Sequence, residues 1–495
     1  MIKKVSYFSA VITIIITGFI FLTGCDMIGP SGSTTTTIRG TTTSSSSTSI
    51  STSVPTSTST SISTSSTLPS GYSSYLSNIS AEVKAKCQSI LTVGALKGRK
   101  TNVFAKIGDS LTGSLYRFMF FVSAYNQQYL NLDAYSNQQP IINYFSSEVV
   151  TLDETEEVAD ISGTGSPEII NVEAEYEGLD LSVTNIPGST ETFSHLTKRN
   201  SFTRISRAAH RSWKLVQIIG CQNRWPDAGV TPVPIPSPDY SVSPLKDEIN
   251  AINPGIAFIL LGANDLNAAI FGNEETVSKA SLPPSIQSDN ALLGDFFFNP
   301  ADNDLIPKLK KDAMVSLASA EISDISLRSD FIGVIQSSPD PGWVNYTHYM
   351  QVLIDFCTVE GVVPVLFTLP PIIPFNAAAP SPPNTTDPYY ISYTREVQIW
   401  GIKLKELASL NKIPYIDYYE AVKPYNLFSG FDMYDKKIYN DGHTKSYLDG
   451  AEDPSINSAV FTPQALQYTN NARDLITLMM LDKFKRIVID NGAPE

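Results

Sequence analysis

The stretch that decides the fold is Gly255-Ile-Ala-Phe-Ile-Leu-Leu261, which is followed directly by Gly262-Ala-Asn-Asp265. A continuous run without a charge and without polar alternation is typical of a parallel strand that is buried on both faces. The glycine and the short polar residues behind it suit a turn. We therefore predict a central strand here, ending in a loop that carries Asn264.

Three other short runs are mainly apolar, and helical spacing separates them. The runs are Asn102-Val-Phe-Ala-Lys-Ile107, Val362-Val-Pro-Val-Leu-Phe-Thr368 and Ile413-Pro-Tyr-Ile-Asp-Tyr418. A helix is predicted over 346–360, with Gly361 as its C-terminal stop. Another is predicted to begin at Ser243-Pro244, and a third carries Val397, Trp400, Leu404 and Leu407. Alternation of helix and strand predicts an α/β fold with a parallel sheet covered by helices.

Two long segments interrupt this alternation and are predicted to be insertions, at about 133–200 and 267–342. The first carries an acidic cluster around Glu154 and an alternating stretch, Ile169–Tyr176, which predicts an antiparallel hairpin. We interpret the acidic cluster as a solvated surface rather than a cation site. The second, rich in Pro and Gly, either shapes a substrate cleft or decorates an edge of the sheet.

The N-terminus has the features of an export signal. Lys3 and Lys4 precede an apolar run, Val5–Leu22. Leu22-Thr23-Gly24-Cys25 then resembles the bacterial lipoprotein box, which implies a signal peptide over 1–24 and acylation of Cys25 in the cell envelope. The alternative is an uncleaved signal anchor with an incidental cysteine.

A tether is predicted behind this segment, and it leads into the folded body. Thirty of the forty residues at 31–70 are Ser or Thr, a composition that buries no apolar surface. We therefore expect a disordered tether over 25–75 and one α/β domain over 76–495. The net charge of −14 and a charged fraction of 17% argue against a nucleic-acid partner.

Neither the cysteines nor the histidines are spaced as metal ligands. If Cys25 is acylated, the remaining cysteines at 87, 221 and 357 allow one disulfide and one free thiol. The four histidines are scattered at 195, 210, 348 and 443. We expect no metal and no cofactor.

Three residue types that acyl transfer needs follow the predicted strands. Ser110 comes after the first strand, Asn264 after the second, and His443 beyond the fourth. In an open parallel sheet the ligand lies beyond the carboxyl ends of the strands, so these residues are expected to share one edge. A histidine can take the proton of a serine hydroxyl, and an amide can stabilise the oxyanion that forms.

These residues resemble the motifs of the SGNH/GDSL hydrolases, which are flavodoxin-like serine esterases and lipases. The resemblance rests on Gly108-Asp109-Ser110-Leu111, on Gly262-Ala263-Asn264-Asp265 and on Asp441-Gly442-His443. It implies that Ser110 is the nucleophile and an oxyanion N–H donor, that Asn264 is the side-chain donor and that His443 is the base. Weaker similarity to a bacterial subgroup extends over Ser201–Ser206, Ala208-Ala209, Trp213, Ser243-Pro244-Leu245, Phe461, Tyr468, Arg473 and Leu475.

Two departures from the family pattern affect the site. The carboxylate usually precedes the histidine by three residues, but that position is Asn440, and Asp441 lies two residues before His443. Either group could orient the imidazole; we favour Asp441 because Gly442 gives the loop freedom. In this family a glycine of the second sequence motif usually donates its backbone N–H to the oxyanion. The corresponding segment here, Ala208–Trp213, has no glycine, so the backbone N–H of Ser212 is the candidate third donor.

The sequence therefore predicts a lipid-anchored serine esterase. Its expected substrate is an ester-containing small molecule, a lipid or an acetylated glycan. Two alternatives stay open, a non-catalytic adhesin or binding lipoprotein on the same scaffold, and an acyltransferase that uses the same serine.

Overall fold

The computed structural model of the protein describes residues 71–113, 130–158, 168–171, 182–185, 191–204, 206–209, 213–220, 243–266, 277–298, 304–338, 340–371, 388–422 and 459–495. The chain divides into two units at residue 65, and every element described belongs to the second. The strands are β1 (Lys100–Gly108), β2 (Val150–Val158), β3 (Glu168–Asn171), β4 (Ser182–Asn185), β5 (Glu191–Arg199), β6 (Pro254–Leu260), β7 (Val277–Ser278), β8 (Phe297–Phe298), β9 (Asp304–Pro307), β10 (Val363–Phe367) and β11 (Tyr415–Ile416).

The helices lie between these strands in the order that the sequence predicts. The α-helices are α1 (Ala81–Leu96), α2 (Ser110–Gly113), α3 (Gln139–Ser146), α4 (Leu215–Gly220), α5 (Pro244–Ile252), α6 (Pro284–Gln287), α7 (Asn290–Phe296), α8 (Lys311–Glu321), α9 (Ile325–Ser337), α10 (Gly342–Val359), α11 (Pro388–Asn411), α12 (Tyr418–Val422) and α13 (Thr469–Phe484). Short 3₁₀ turns cover Tyr72–Tyr75, Asp133–Gln138, Lys279–Ser281 and Ala465–Gln467, and one π-turn covers Lys485–Ile489.

A parallel sheet forms the centre, with the strand order β1-β6-β10-β11. Gly108 at the end of β1 lies opposite Leu260 at the end of β6, and Phe367 of β10 lies opposite Ile416 of β11. The carboxyl ends of the strands therefore meet at one edge of the sheet. The predicted α/β class and the four predicted strands are confirmed.

Helices cover both faces of the sheet, which explains why its strands are mostly apolar. Side chains alternate between the faces. Phe104, Phe258 and Phe367 pack on one face in a buried cluster that includes residues of α1, α3 and α13. Ala257 and Ile259 belong to the opposite cluster, with residues of α4, α5, α10 and α11.

The predicted helix boundaries follow from backbone conformation. Pro244 starts α5 after Ser243, and proline costs least at this first position. Gly361, just past the end of α10, has φ +74° and adopts the left-handed conformation that ends many helices. A Cβ atom on Gly361 would lie 2.2 Å from Cα of Gly94 in α1, so close backbone packing also requires glycine.

Helix α3 lies within the range predicted for the first insertion, and it packs in the main hydrophobic core. Phe145 of α3 packs edge-on against Phe104 of β1 with ring centroids 5.9 Å apart. Beyond it, β2 pairs with β5 and β3 pairs with β4, both antiparallel. The β3–β4 pairing confirms the predicted hairpin. The predicted acidic cluster lies in β2.

The second insertion contains a hydrophobic cluster of its own. Strands β7, β9 and β8 form a small antiparallel sheet in that order, and α6 to α9 surround it. Phe296 and Phe331 meet at its centre with ring centroids 4.7 Å apart. Leu305 and Met314 are buried in the same cluster. The buried apolar residues described in this segment therefore form a cluster separate from those of the central sheet.

The predicted signal peptide, Cys25 and almost all of the tether lie outside the described residues. Tyr72, within the range assigned to the tether, is buried, and its hydroxyl donates to the carbonyl of Leu466 at 3.2 Å. Among the helices that the structure describes, none combines the length and the hydrophobicity that a bilayer crossing requires.

The structure describes two of the three cysteines that could form a disulfide. Cys87 and Cys357 are both buried and both free, whereas Cys221 lies outside the described part of the chain. Burial raises the pKa of the Cys87 thiol to about 12 and also raises the pKa of the Cys357 thiol. These thiols are therefore protonated and unreactive at neutral pH.

Candidate active site

The turn after β1 and the loop after β6 are neighbours at the carboxyl edge of the sheet. Residue Ser110 follows the strand by two positions and is the first residue of α2. Gly108 and Leu260 are paired in register, so the residues that follow them begin side by side. The structure thus brings the backbone of Ser110 and the segment carrying Asn264 to the same edge, as the sequence predicts.

The carboxylate of Asp109 holds these two segments together. Asp109 is fully buried, and one of its oxygens, Oδ1, accepts the backbone N–H of Leu111 at 3.0 Å. The other oxygen, Oδ2, accepts the N–H of Ala263, the residue before Asn264, at 3.3 Å. The carboxylate therefore fixes the turn that contains Ser110 relative to the loop that contains Asn264. Nothing in the sequence motif predicts this role for Asp109.

Gly108 is required by the close approach of that turn to β6. The hydroxyl of Thr112 donates to the carbonyl of Leu260 at 3.1 Å. A Cβ atom on Gly108 would lie 2.1 Å from the Thr112 hydroxyl and 2.2 Å from the Leu260 carbonyl oxygen. Any larger residue at 108 would push the turn away from the neighbouring strand.

The amide of Asn264 is oriented by a hydrogen bond. Its Nδ2 donates to the carbonyl of Trp213 at 3.2 Å, and the side chain is half-buried. A primary amide carries two N–H groups, so this bond fixes the amide and one hydrogen remains for another acceptor. Such a group can stabilise a developing negative charge without reorganising.

Gly262 shapes the loop that presents Asn264. It has φ +127°, a conformation that side chains rarely adopt, and a Cβ atom there would lie 2.8 Å from the ring of Tyr346. The hydroxyl of Tyr346 donates to the carbonyl of Leu261 at 2.7 Å. Burial, with the charges of Asp265 and Asp109, raises the pKa of this hydroxyl, which therefore stays a donor.

Asp265 ties the same loop to α4. Its two carboxylate oxygens each lie 3.1 Å from the backbone nitrogen of Leu215. Desolvation, together with the negative charge of Asp109, raises the pKa of the Asp265 carboxyl to about 7. The hydrogen bond from the Leu215 N–H opposes this change. The carboxyl group therefore titrates close to neutral pH.

Replacing Asp265 with asparagine is expected to change how stability depends on pH. The pKa is raised from 3.8 to about 7 on folding, so the folded state binds the proton more tightly than the unfolded state does. The stability of the wild type should therefore fall as pH rises from about 4 to about 7 and then level off. A three-unit shift sets an upper bound of about 4 kcal/mol; because Asp265 is only half-buried, we expect about 1–2 kcal/mol.

Urea unfolding at several pH values between 4.5 and 8 measures this effect. As pH rises, the unfolding free energy of the wild type should fall relative to that of Asp265→Asn. The exposed Asp330 of α9 provides the matched control, and Asp330→Asn should follow the wild type. Parallel curves for wild type and Asp265→Asn would contradict the expectation.

The predicted second motif runs along the open side of β1. The backbone N–H of Gly108 donates to the carbonyl of Ala208 at 3.0 Å, and Ala209 forms a parallel bridge with Gly108. Earlier along the strand, the N–H of Phe104 donates to the hydroxyl of Ser201 at 2.9 Å. This motif therefore approaches the Ser110 turn from the side opposite Asn264.

A buried polar cluster lies behind the turn, on the face of the sheet covered by α13. Lys106 of β1 donates from Nζ to the carbonyl of Phe202 at 3.1 Å. Burial, together with the positive charge of Arg204, lowers the pKa of Lys106 to about 7, and the charges of Glu248 and Asp474 oppose this change. Glu248 forms a buried ion pair with Arg204 and accepts the N–H of Arg207 at 2.9 Å.

Several predicted site residues lie outside the described residues. These are His443, Asp441, its alternative Asn440, Ser212 and the lipid-attachment residue Cys25. For Ser110 the structure describes the backbone only. The catalytic roles of all these residues therefore stay predictions. Within the described part of the chain, no group of three or more His, Cys, Asp or Glu could hold a metal ion.

Comparison of the sequence with known protein families and with curated proteins finds no match. Among solved structures, a candidate acylhydrolase from Bacteroides fragilis is 11% identical, with a TM-score of 0.20; the alignment covers 49% of this chain and 68% of that one. A peptidoglycan O-acetylesterase is 8% identical, with a TM-score of 0.31; the alignment covers 84% of this chain and 99% of that one. At these scores we draw no conclusion from either similarity.

Proposed function

We propose that this protein is a serine esterase of the SGNH/GDSL type, with Ser110 as its nucleophile. The observation that carries the proposal is the pair of hydrogen bonds from Leu111 and Ala263 to Asp109. They fix a turn that starts with a serine beside a loop that presents an oriented amide. A serine and a polar donor at the carboxyl edge of a parallel sheet suit acyl transfer.

In the proposed reaction the Ser110 oxygen bonds to the carbonyl carbon of the ester while its proton passes to His443. The negative charge that forms on the carbonyl oxygen is stabilised by the backbone N–H of Ser110, the Asn264 amide and the N–H of Ser212. The ester C–O bond then breaks, and the alcohol leaves with the proton from His443. Water repeats these steps on the acyl-enzyme and releases the acid.

The group that orients His443 is proposed to be Asp441. A carboxylate holds the imidazole in the required tautomer and stabilises the imidazolium ion that forms during the reaction. Asn440 would supply only a neutral hydrogen bond, which is weaker than a bond to a charged group.

Trapping with a fluorophosphonate probe tests the proposal without knowledge of the natural substrate. Only an activated serine displaces the fluoride, so the probe should label one peptide, the one that contains Ser110. Ser316→Ala serves as the matched control, because Ser316 is exposed on α8; that variant should be labelled like the wild type. A folded wild-type protein without label at Ser110 would overturn the proposal and favour the binding-protein alternative.

We further propose that the enzyme is anchored in the bacterial envelope through acylated Cys25 and acts there on acyl or acetyl esters of lipids or glycans. The apolar leader, Cys25 and the Ser/Thr-rich segment support this proposal. Expression in a bacterium fed an alkyne-tagged fatty acid tests it. The wild type should carry the tag and enter the detergent phase, and Cys25→Ala should lose the tag. An untagged wild type would contradict the anchor.

Hydrolysis and acyl transfer share the first half of the reaction, so the probe does not separate them. Product analysis in the presence of a sugar acceptor does. Release of free acid at a rate independent of the acceptor supports an esterase, whereas an acylated sugar as the main product would favour the transferase alternative.

A further inference from the structure

Arg473 of helix α13 reaches the turn that carries the proposed nucleophile. Its guanidinium donates from Nη1 to the carbonyl oxygen of Leu111 at 2.9 Å. Its Nε donates to the carboxylate of the adjacent Asp474 at 3.0 Å. The side chains of Arg473 and Asp474 are both completely inaccessible to solvent. A paired, buried cation therefore touches the backbone one residue beyond Ser110.

Burial of this ion pair costs desolvation free energy, which indicates a role for the pair beyond packing. Removing two charges from water costs several kcal/mol per ion in effect, and well-packed apolar residues often replace a buried pair without loss of stability. The neighbours of the pair on α13, Ala472 and Leu475, already pack in the apolar core. Packing in this core therefore does not by itself require a charged residue at position 473.

The contacts of Leu111 show what the guanidinium holds. The N–H of Leu111 donates to Asp109, and Asp109 also accepts the N–H of Ala263 in the neighbouring loop. The carbonyl of Leu111 is held by Arg473. The next N–H, that of Thr112, donates to the carbonyl of Asp109 at 2.9 Å. The backbone that follows Ser110 is therefore fixed from two sides, by Asp109 on one and by Arg473 on the other.

We propose that Arg473 is a positioning residue for the nucleophile turn, and that it fixes the backbone at Ser110 in the orientation in which the Ser110 N–H and hydroxyl meet the ester carbonyl. This inference rests on the proposed serine-esterase function. Arg473 touches neither substrate nor reacting atoms and acts only through the Leu111 carbonyl. A misplacement of about 1 Å in a catalytic group can reduce the rate by about 100-fold.

The test compares Arg473→Met and Arg473→Lys with wild type, using nitrophenyl acetate hydrolysis and the rate of fluorophosphonate labelling at Ser110. We expect Arg473→Met to lower kcat and the labelling rate by about 10- to 100-fold, with little change in KM. Lysine keeps the charge beside Asp474 but is shorter and has no forked donor, so it should recover part of the loss. Folded fraction is measured by near-UV circular dichroism, and rates are expressed per folded molecule.

Arg99 provides a matched control at the opposite end of the sheet. It precedes β1, its side chain is 5% exposed, and its Nη2 pairs with Glu360 at 2.7 Å. Arg99→Met also breaks a largely buried arginine pair, so it should lose stability but keep kcat and the labelling rate per folded molecule. If Arg473→Met does not fold, Arg473→Lys alone decides the question, with an expected loss of about 5- to 20-fold.

The outcomes separate the two proposals. If the wild type is labelled at Ser110 and the folded Arg473 variants react at the wild-type rate, the positioning role is wrong and the esterase proposal stands. Loss of rate in Arg99→Met equal to that in Arg473→Met would also overturn it. If the wild type itself is not labelled at Ser110, both proposals fall.

Discussion

Ser110→Ala is expected to lower kcat for short-chain nitrophenyl esters by about 10⁴- to 10⁶-fold, because the hydroxyl that forms the acyl-enzyme is removed. The surrounding turn should survive the substitution. Its described hydrogen bonds run between Asp109, Leu111, Thr112, Ala263 and Arg473, and all five residues remain in the variant. The melting temperature should therefore change by no more than about 2 °C.

Steady-state kinetics on the domain without its tether measures this effect, and Ser316→Ala again serves as the control. An activity in Ser110→Ala within tenfold of the wild type would show that the esterase reaction uses another nucleophile. Loss of activity together with loss of the folded state would not meet the prediction either, because the variant is expected to remain folded.

Asn264→Ala is expected to have the second largest effect, a fall in kcat of about 10²- to 10³-fold with a small change in KM. The amide is proposed to act on the oxyanion, whose full charge develops only in the transition state, so the loss should appear mainly in kcat. Alanine also removes the hydrogen bond to the Trp213 carbonyl. This second loss should lower the free energy of unfolding by about 1 kcal/mol.

Asn264→Asp tests whether the loss comes from the missing N–H groups rather than from the missing volume of the side chain. Aspartate is nearly the same size but has no N–H and carries a negative charge, so it should be at least as inactive as the alanine variant. The matched control is Asn143→Ala on the exposed face of α3, where Asn143 accepts a hydrogen bond from Gln139 at 2.9 Å. Full activity in Asn264→Ala would exclude this amide from the oxyanion site.

The central sheet was predictable because its signal is local. Each strand is a short apolar run followed by a glycine, a proline or a small polar residue, and the helix boundaries at Pro244 and Gly361 follow from the backbone preferences of those two residues. The order of the motifs along the chain then predicts which loops share the carboxyl edge. In the sheet the four strands follow this same order, β1-β6-β10-β11.

The contacts that fix the site were less accessible to sequence reasoning, because their partners are distant in sequence. Helix α13 contains Thr469, Asn470, Asn471, Arg473 and Asp474, a composition typical of a solvated helix, and yet all five are buried. The Leu111 carbonyl that Arg473 contacts lies 362 residues earlier in the chain. A charged residue within an apolar strand, Lys106, was the one available signal that a polar cluster lies inside the core.

The second insertion carries an apolar centre separate from that of the sheet, with Phe296 and Phe331 in contact at its middle. Cooperative melting of two regions requires that they share a large buried boundary; regions that bury their nonpolar groups separately can open at different free energies. The amide hydrogens of this segment should therefore exchange with a free energy of opening different from that of the central sheet, and hydrogen exchange measures both. We therefore expect that core substitutions in the second insertion leave the stability of the central sheet largely unchanged.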